Sequence, residues 1–220
     1  MSNIKFQGIM PALISPLQED GSIKEDVLRS LIDWQLQAGC SGFYICGATG
    51  EGVVMKPESR KAMASLTVNA VRGRGSVICH VGAVDLRTAV DLARQASDAG
   101  VDAISSVPPF FYGYGEREII QYYQALAEAS RVPMLIYASP LAGTPITPAL
   151  VNKLMQIKNI IGLKWTSPNY YEMRLIKELN NGDINVINGP DETLLCGLAM
   201  GADGGIGSTY NAVPGLYVGI

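Results

Sequence analysis

The sequence predicts an α/β protein with a parallel sheet, and a closed (β/α)8 barrel formed by one domain over residues 1–220 fits it best. Short apolar runs alternate with longer amphipathic stretches about eight times along the chain. No linker or low-complexity segment interrupts this alternation, so nothing marks a second domain. A doubly wound open sheet is the structural alternative, because it is built from the same units.

Eight short apolar runs carry the strand prediction. They recur at regular intervals, each followed by an amphipathic stretch, which is the order expected of strand–helix units with parallel strands. The predicted strands, in chain order, cover residues 8–15, 42–46, 76–82, 101–107, 132–137, 160–165, 184–189 and 204–208.

Seven amphipathic stretches between these runs carry the helix prediction. Each places apolar residues at positions i, i+3 and i+4, and several stop at a glycine. The chain ends where the helix after the eighth strand should begin, so we expect a barrel that is truncated at its C-terminus. The predicted helices cover residues 24–39, 57–73, 86–100, 116–130, 147–156, 169–179 and 191–201.

Composition and charge indicate a cytoplasmic protein whose partner is a small molecule or a second copy of the chain. The net charge is −3, and there is no basic run with interleaved aromatic residues, so we expect neither nucleic acid nor an anionic membrane as a partner. The sequence has no apolar signal segment and no run long enough to span a bilayer. Its cysteines are scattered without a CxxC pair, which favours free thiols over disulfides or a zinc site; they are Cys40, Cys46, Cys79 and Cys196.

The polar and glycine-rich segments of the chain follow the predicted strands. In a barrel, the residues that do chemistry stand at the C-terminal ends of the strands and in the loops that follow them. That clustering predicts an enzyme. The segments are 47–52, 108–114, 137–140, 164–167, 189–192 and 208–211.

Lys164 lies inside the apolar run "IIGLKWTS". Burial disfavours the charged ammonium, so the pKa of this lysine should be lowered and a free amine should be present near neutral pH. A free amine can attack a ketone and form a Schiff base that serves as an electron sink. A lysine whose stem packs while its ammonium reaches water explains the run equally well.

Tyr137 closes the preceding strand, one βα unit before Lys164, so both side chains should lie on the same rim of the barrel. A phenol there could move protons to and from a substrate hydroxyl. The alternative is a core tyrosine with a satisfied hydroxyl, which is the commoner case after an apolar run.

Two loop motifs suggest binding sites. In "GATGEG" (47–52), small residues and a threonine let backbone N–H groups approach a carboxylate, although a tight turn also explains the motif. In "NGPDE" (188–192), two carboxylates stand at the start of a helix, where they could cap it or bind vicinal hydroxyls of a polyol.

His80 is the chain's one histidine and lies within a predicted strand. We interpret it as a core residue with satisfied nitrogens. The absence of other histidines argues against a histidine-based metal site and against a Ser-His-Asp triad.

The motifs "GATGEG", "YASP", "GLKWTS", "NGPDE" and "GADGGIGSTYN", in this order, resemble those of the pyruvate-dependent class I aldolases. This family includes dihydrodipicolinate synthase and N-acetylneuraminate lyase. The resemblance implies a (β/α)8 barrel with extra C-terminal helices, which usually assembles as a homotetramer. It also implies that no metal, flavin or nicotinamide cofactor is needed, because the lysine supplies the electron sink.

The resemblance implies a role for each matching residue. Lys164 would form the Schiff base with the C2 ketone, and Tyr137 would take the proton from the C4 hydroxyl. Thr49 and the backbone N–H groups around Ala48 would hold the carboxylate. The residues that would bind the sugar portion are Thr166, Gly189, Asp191, Glu192 and Ser208.

Three features are similar to those of the sialic acid lyase branch, namely "HVG" at His80, "KWTS" with Thr166, and "NGPDE" combined with "GSTYN". The expected reaction is cleavage of N-acetylneuraminate to pyruvate and N-acetylmannosamine. The chain departs from the family at Ala48, where Ser or Thr is usual, at Phe111, where many members have tyrosine, and in "YASP".

Two other functions stay open at this point. A related enzyme would act on a 2-keto-3-deoxy sugar acid or on aspartate semialdehyde. The synthases hold the second carboxylate with an arginine, and this chain has none between Arg131 and Arg174. A barrel that binds a keto acid without catalysis belongs to another class, and the departures at Ala48 and Phe111 motivate it.

Overall fold

The computed structural model describes residues 6–220, in which parallel strands alternate with helices. The strands are β1 (Gly8–Pro11), β2 (Gly42–Ile45), β3 (Ser76–His80), β4 (Ala103–Ser106), β5 (Met134–Ala138), β6 (Ile160–Trp165), β7 (Asn185–Asn188) and β8 (Gly204–Gly207). The helices are α1 (Glu25–Gln37), α2 (Pro57–Val71), α3 (Leu86–Asp98), α4 (Glu116–Ala129), α5 (Pro148–Leu154), α6 (Tyr170–Lys177), α7 (Leu194–Ala199) and α8 (Pro214–Val218).

The strands close into a barrel. Each strand from β2 to β7 pairs in parallel with the strand that follows it, and β8 pairs in parallel with β1. A parallel bridge between Ala12 and Tyr44 joins β1 to β2, and the Leu13 N–H donates to the Tyr44 carbonyl at 2.9 Å. This β1–β2 joint completes the ring, so the predicted (β/α)8 barrel is confirmed and the open-sheet alternative is wrong.

The strand side chains divide between two apolar cores because successive residues point to opposite faces. Phe43 and Ile45 of β2 pack outward against the helices, and Tyr44 between them points into the barrel. The same alternation places Lys164 inside the barrel, between the outward-facing Leu163 and Trp165. The interior is filled by Met10, Ala12, Tyr44, Ile78, Ala103, Leu135, Tyr137, Ile187 and Ile206.

The last third of the chain differs in detail from the predicted helices. A 3-10 turn occupies Asp191–Thr193, so α7 begins at Leu194 rather than at residue 191. After β8, a second 3-10 turn at Thr209–Asn211 precedes the short helix α8, which the apolar pattern did not predict. These turns keep the polar residues of both loops at the mouth of the barrel.

Each of the four cysteines is a free thiol, as predicted, and Cys196 alone among them is exposed. Within residues 6–220, no helix is both long and apolar enough to cross a bilayer. The same residues contain no group of three or more His, Cys, Asp or Glu side chains placed to hold a metal ion.

A polar network around the Asp203 carboxylate ties α6 to the start of β7. Lys177 Nζ donates to both Asp203 carboxylate oxygens, at 2.8 and 2.7 Å, and also to the Ile184 carbonyl at 3.1 Å. The same carboxylate accepts from the Val186 N–H at 2.8 Å and from the Asn185 amide at 3.0 Å. The side chains of Lys177 and Asp203 are only 15% and 13% exposed, so this pair is shielded from water.

We expect Asp203→Ala to lower the free energy of unfolding by about 3 kcal/mol, because it leaves a shielded ammonium and a backbone N–H without their partner. The measurement is the urea unfolding midpoint. Arg174→Ala is the matched control, since it breaks an exposed pair with Glu178 close to Lys177, and it should cost less than about 1 kcal/mol. Equal losses in both variants would contradict the structural role given to Asp203.

Candidate active site

Lys164 and Tyr137 occupy the same level of neighbouring strands. In the β5–β6 register, Tyr137 is the direct partner of Lys164. Lys164 is only 5% exposed, and burial lowers the pKa of its amine below the ordinary value of 10.5. A hydrogen bond with Tyr137 and the charge of Asp191 act in the opposite direction and raise that pKa. The predicted pairing and the predicted direction of the pKa shift are therefore confirmed.

Two aromatic rings frame the lysine amine, and the His80 ring packs beside them. The Nζ atom lies 4.7 Å from the ring centroid of Tyr44 and 4.4 Å from that of Tyr137. The Tyr44 and Tyr137 rings meet edge to face at 82°, and the His80 ring lies edge-on to Tyr137 at 6.0 Å. Ring faces at these distances stabilise a cation on the nitrogen, whether an ammonium or an iminium.

His80 is a neutral core residue, as predicted. The Val107 N–H donates to Nε2 at 3.3 Å, so Nδ1 carries the proton and donates to the Cys46 carbonyl at 3.1 Å. Burial, helped by the nearby Arg60 cation, lowers the pKa of His80 to about 3. Because both ring nitrogens are occupied, His80 supports Tyr137 and the loop after β2 without taking part in proton transfer.

The "GATGEG" loop has little room for side chains at its glycines. A Cβ atom at Gly52 would overlap the Cys46 carbonyl, and one at Gly47 would lie 2.7 Å from the Tyr44 ring. Across residues 6–220, no acceptor receives the N–H groups of Ala48 and Thr49. The tight turn therefore leaves two adjacent N–H donors free, an arrangement that suits an anion.

Asp191 and Glu192 are adjacent in sequence but have different surroundings. Asp191 accepts from the backbone N–H groups of Ser208 at 3.2 Å and Thr209 at 2.7 Å, and from the Thr209 hydroxyl at 2.8 Å. A side chain at Gly207 would overlap the Asp191 carboxylate. Asp191 thus fixes the loop after β8 rather than capping α7, whereas Glu192 is exposed at the mouth of the barrel.

Thr166 and Gly189 meet at the ends of β6 and β7. The Gly189 N–H donates to the Trp165 carbonyl at 2.8 Å, and a Cβ atom at Gly189 would overlap the Thr166 hydroxyl oxygen. That oxygen is buried, and nothing in the described part of the chain forms a hydrogen bond with it. Glycine at position 189 therefore leaves the space that the Thr166 hydroxyl occupies.

Thr49 and Ser208 are in direct contact across the mouth of the barrel, with 2.6 Å between their hydroxyl oxygens. Their loops follow β2 and β8, which flank β1 on either side. The structure thus brings the nine predicted site residues to one end of the barrel. Lys164 and Tyr137 lie at its centre, Ala48, Thr49 and Ser208 on one side, and the remaining four around the ends of β6 and β7.

Two contributors to the site were not predicted, namely Tyr44 and Asn211. Tyr44 lies within the apolar run of β2, and its position one residue after the outward-facing Phe43 is the signal that could have placed it inside the barrel. The Asn211 amide donates to the Ala12 carbonyl at 2.7 Å and to the Ser208 carbonyl at 2.9 Å. It therefore ties the loop after β8 to the end of β1.

We expect Tyr44→Leu to lower the pKa of Lys164 further, because it removes one of the two ring faces that stabilise the ammonium. Modification of Lys164 by an amine-reactive reagent at pH 7 should then become about fivefold faster. Tyr44→Phe keeps the ring and should leave the rate unchanged. The measurement is peptide mass spectrometry over a pH series, and equal rates in both variants would exclude the role given to the ring.

The chain is similar to known proteins in both sequence and fold. The dihydrodipicolinate synthetase family matches residues 5–220. The N-acetylneuraminate lyase of Rhizobium meliloti (strain 1021) is 36% identical over 217 residues, which cover 99% of this chain and 72% of that protein.

Two solved structures match closely. One is a catalytic lysine mutant of Ruminococcus gnavus sialic acid aldolase, with a TM-score of 0.93 and 31% identity over 97% of this chain and 70% of that chain. The other is YagE, a prophage protein of the dihydrodipicolinic acid synthase family from E. coli K12 in complex with pyruvate, with a TM-score of 0.93 and 30% identity over 97% and 74%. The chain belongs to the dihydrodipicolinate synthetase family, whose members include the aldolases and lyases that it resembles.

Proposed function

We propose that the protein is a Schiff-base aldolase that cleaves N-acetylneuraminate to pyruvate and N-acetylmannosamine, and that it also catalyses the reverse reaction. The observation that carries this proposal is the buried Lys164 amine beside Tyr137, at one level of two neighbouring strands. Similarity to a lyase of that name, and to a structure that binds pyruvate, supports the choice of substrate.

The first step is imine formation. The neutral amine of Lys164 attacks the C2 ketone, and the resulting carbinolamine loses its hydroxyl as water. Tyr137 gives its phenolic proton to the leaving hydroxyl, so a protonated imine and a phenolate form side by side. The ring faces of Tyr44 and Tyr137 stabilise the iminium cation in a site from which water is largely excluded.

The second step is cleavage. The Tyr137 phenolate takes the proton of the C4 hydroxyl, the C3–C4 bond breaks, and its electron pair moves into the iminium to give an enamine. N-acetylmannosamine leaves as the aldehyde. Tyr137 then returns the proton to C3, and water hydrolyses the new imine to release pyruvate and the free amine of Lys164.

The two sides of the Lys164 site differ in chemistry, which suits a substrate with a carboxylate at one end and hydroxyls at the other. The free N–H groups of Ala48 and Thr49 offer hydrogen bonds to the carboxylate next to the ketone. On the other side, the exposed carboxylate of Glu192 suits a sugar hydroxyl.

The residues around Tyr137 favour a neutral sugar chain over a second carboxylate. No arginine lies between Arg131 and Arg174, a segment that includes the loops after β5 and β6. Glu192 would repel a substrate with a carboxylate at its far end, as aspartate semialdehyde has. Polyhydroxy substrates such as 2-keto-3-deoxy sugar acids are the closest competitors.

Borohydride trapping tests the proposal. The protein is incubated with pyruvate and reduced with borohydride, and its peptides are analysed by mass spectrometry, with a parallel assay for N-acetylneuraminate cleavage. We expect a reduced pyruvate adduct on Lys164 and release of N-acetylmannosamine. Pyruvate binding without an adduct would instead indicate a keto-acid-binding barrel without catalysis, and an adduct without cleavage would indicate another keto-acid substrate.

We also propose that the protein assembles as a homotetramer. Phe111 is 80% exposed, has a φ of 85°, and contacts Tyr112 edge to face at 4.9 Å in the loop after β4. An exposed aromatic pair held on a left-handed residue is consistent with a contact between subunits. Light scattering after size-exclusion chromatography tests the proposal, and a monomeric mass would refute it.

A further inference from the structure

The Tyr170 hydroxyl joins the start of α6 to the loop after β7. It lies 3.2 Å from the side-chain oxygen of Asn188 and 3.2 Å from the carbonyl oxygen of Thr193, and it also bonds the Thr193 hydroxyl. Asn188 is the last residue of β7, and Thr193 is the last residue of the 3-10 turn that follows it. One phenol therefore connects the residues on either side of segment 189–192.

Asn188 gives this connection a fixed end. Its side chain is buried, and its amide donates to the Pro190 carbonyl at 2.7 Å. A Cβ atom at Gly197 would overlap the Asn188 side chain, so glycine at this position lets α7 pack directly against it. The Tyr170 hydroxyl is thus anchored on a side chain that both the loop and α7 hold in place.

Glu192 has no such anchor of its own. Among the described residues, no hydrogen bond or ion pair holds its exposed carboxylate. Burial raises the pKa of the Tyr170 phenol above its ordinary value of 10.0, the bond with Thr193 lowers it, and the nearby charge of Glu192 raises it further. The carboxylate therefore lies near the Tyr170 hydroxyl, and its direction is set by the backbone of the turn that this hydroxyl ties down.

We infer that Tyr170 is a positioning residue, whose bonds to both ends of segment 189–192 hold the turn that directs Glu192 toward the hydroxylated end of the substrate. This inference rests on the proposed function, in which Glu192 binds a sugar hydroxyl. Tyr170 acts through that carboxylate, so imine formation at Lys164 should not depend on it.

Kinetics and pyruvate trapping test this division in Tyr170→Phe, which keeps the ring and removes the hydroxyl. We expect the KM for N-acetylneuraminate to rise about fivefold with little change in kcat. The pyruvate concentration that gives half-maximal borohydride trapping at Lys164 should stay at the wild-type value. Thr193→Val removes the other hydroxyl of the pair and should raise the KM by a similar factor.

Tyr171→Phe is the matched control, because it removes a tyrosine hydroxyl from the next residue of α6, whose side chain is 72% exposed. It should change neither the KM nor the half-maximal pyruvate concentration.

A double-mutant cycle shows whether Tyr170 acts through Glu192. Glu192→Ala removes the carboxylate that the turn is inferred to direct. Adding Tyr170→Phe to Glu192→Ala should then cause no further rise in the KM.

Amide exchange gives a measurement that needs no substrate. The Thr193 N–H donates to the Pro190 carbonyl at 3.4 Å and closes the turn. Its exchange should become about fivefold faster in Tyr170→Phe, because the turn opens more often without its tie to α6. It should stay unchanged in Tyr171→Phe.

The outcomes are distinct. Unchanged amide exchange in Tyr170→Phe, an unchanged KM, or an equal rise in the KM in the Glu192→Ala background would overturn the inference while the proposed function stands. A parallel rise in the half-maximal pyruvate concentration would show a general structural role and would also overturn it. A wild-type protein that traps pyruvate but leaves N-acetylneuraminate intact would overturn the proposed substrate and the inference with it.

Discussion

Lys164→Met is expected to abolish pyruvate trapping and to lower N-acetylneuraminate cleavage by at least about 10⁴-fold, because the covalent intermediate cannot form without the amine. The same change should raise the melting temperature. Methionine matches the length of the lysine stem and carries no ammonium that must be removed from water inside the barrel. Loss of activity together with a gain in stability is measured by assay and by thermal unfolding.

Lys153→Met provides the control, since Lys153 is an exposed lysine that pairs with Glu116. It should change neither trapping nor cleavage. A Lys164→Met protein that still cleaves the substrate, or one that is less stable than the wild type, would contradict the role of a buried nucleophile.

The trapping rate should also depend on pH in a definite direction. Only the neutral amine attacks, so the rate rises with pH as the ammonium loses its proton. Burial lowers the pKa of Lys164, so the rate should reach its plateau below the pH at which an ordinary lysine, with a pKa of 10.5, loses its proton. A rate that continues to rise through that value would show that Lys164 is not desolvated in solution.

Tyr137→Phe is expected to lower the cleavage rate by about 10²–10⁴-fold, because the C4 hydroxyl proton loses its acceptor. The imine with pyruvate should still form, more slowly, since Lys164 is intact. Exchange of the pyruvate C3 protons in D2O, followed by NMR, should be lost in parallel with cleavage, because the same phenol moves both protons.

Tyr171→Phe controls for removal of a tyrosine hydroxyl, since Tyr171 is exposed on α6. It should behave as the wild type. If Tyr137→Phe cleaved the substrate at the normal rate, the proton would have to pass through another group, and the assignment of Tyr137 would be wrong.

The centre of the site could be predicted from the sequence because it depends on local regularities. Side chains alternate along a strand, and parallel neighbours bring their C-terminal ends to one rim. Two polar residues at the ends of consecutive apolar runs, Tyr137 and Lys164, therefore had to lie side by side. His80 could also be predicted as a core residue, because a histidine inside a buried strand is satisfied once its two ring nitrogens bond backbone groups.

The roles of the loop residues could not be predicted in the same way, because they depend on contacts between distant parts of the chain. Asp191 lies at the start of a turn, and only the structure shows that its carboxylate binds the backbone of Ser208 and Thr209 in the next loop. Tyr44 looked like one more apolar residue of β2. Its contact with Lys164 crosses the barrel interior, and no spacing in the sequence reports such a contact.

The β1–β2 joint connects catalysis to the integrity of the barrel. Its strand pairing consists of the Ala12–Tyr44 bridge and the backbone hydrogen bonds beside it. Polar groups at the mouth span the same joint through Asn211 and through the Thr49–Ser208 contact. Local opening of this joint would therefore separate the loops that form the candidate site. If a keto acid binds across these loops, as proposed, its occupancy should slow amide exchange at Leu13, whose N–H bonds the Tyr44 carbonyl at this joint.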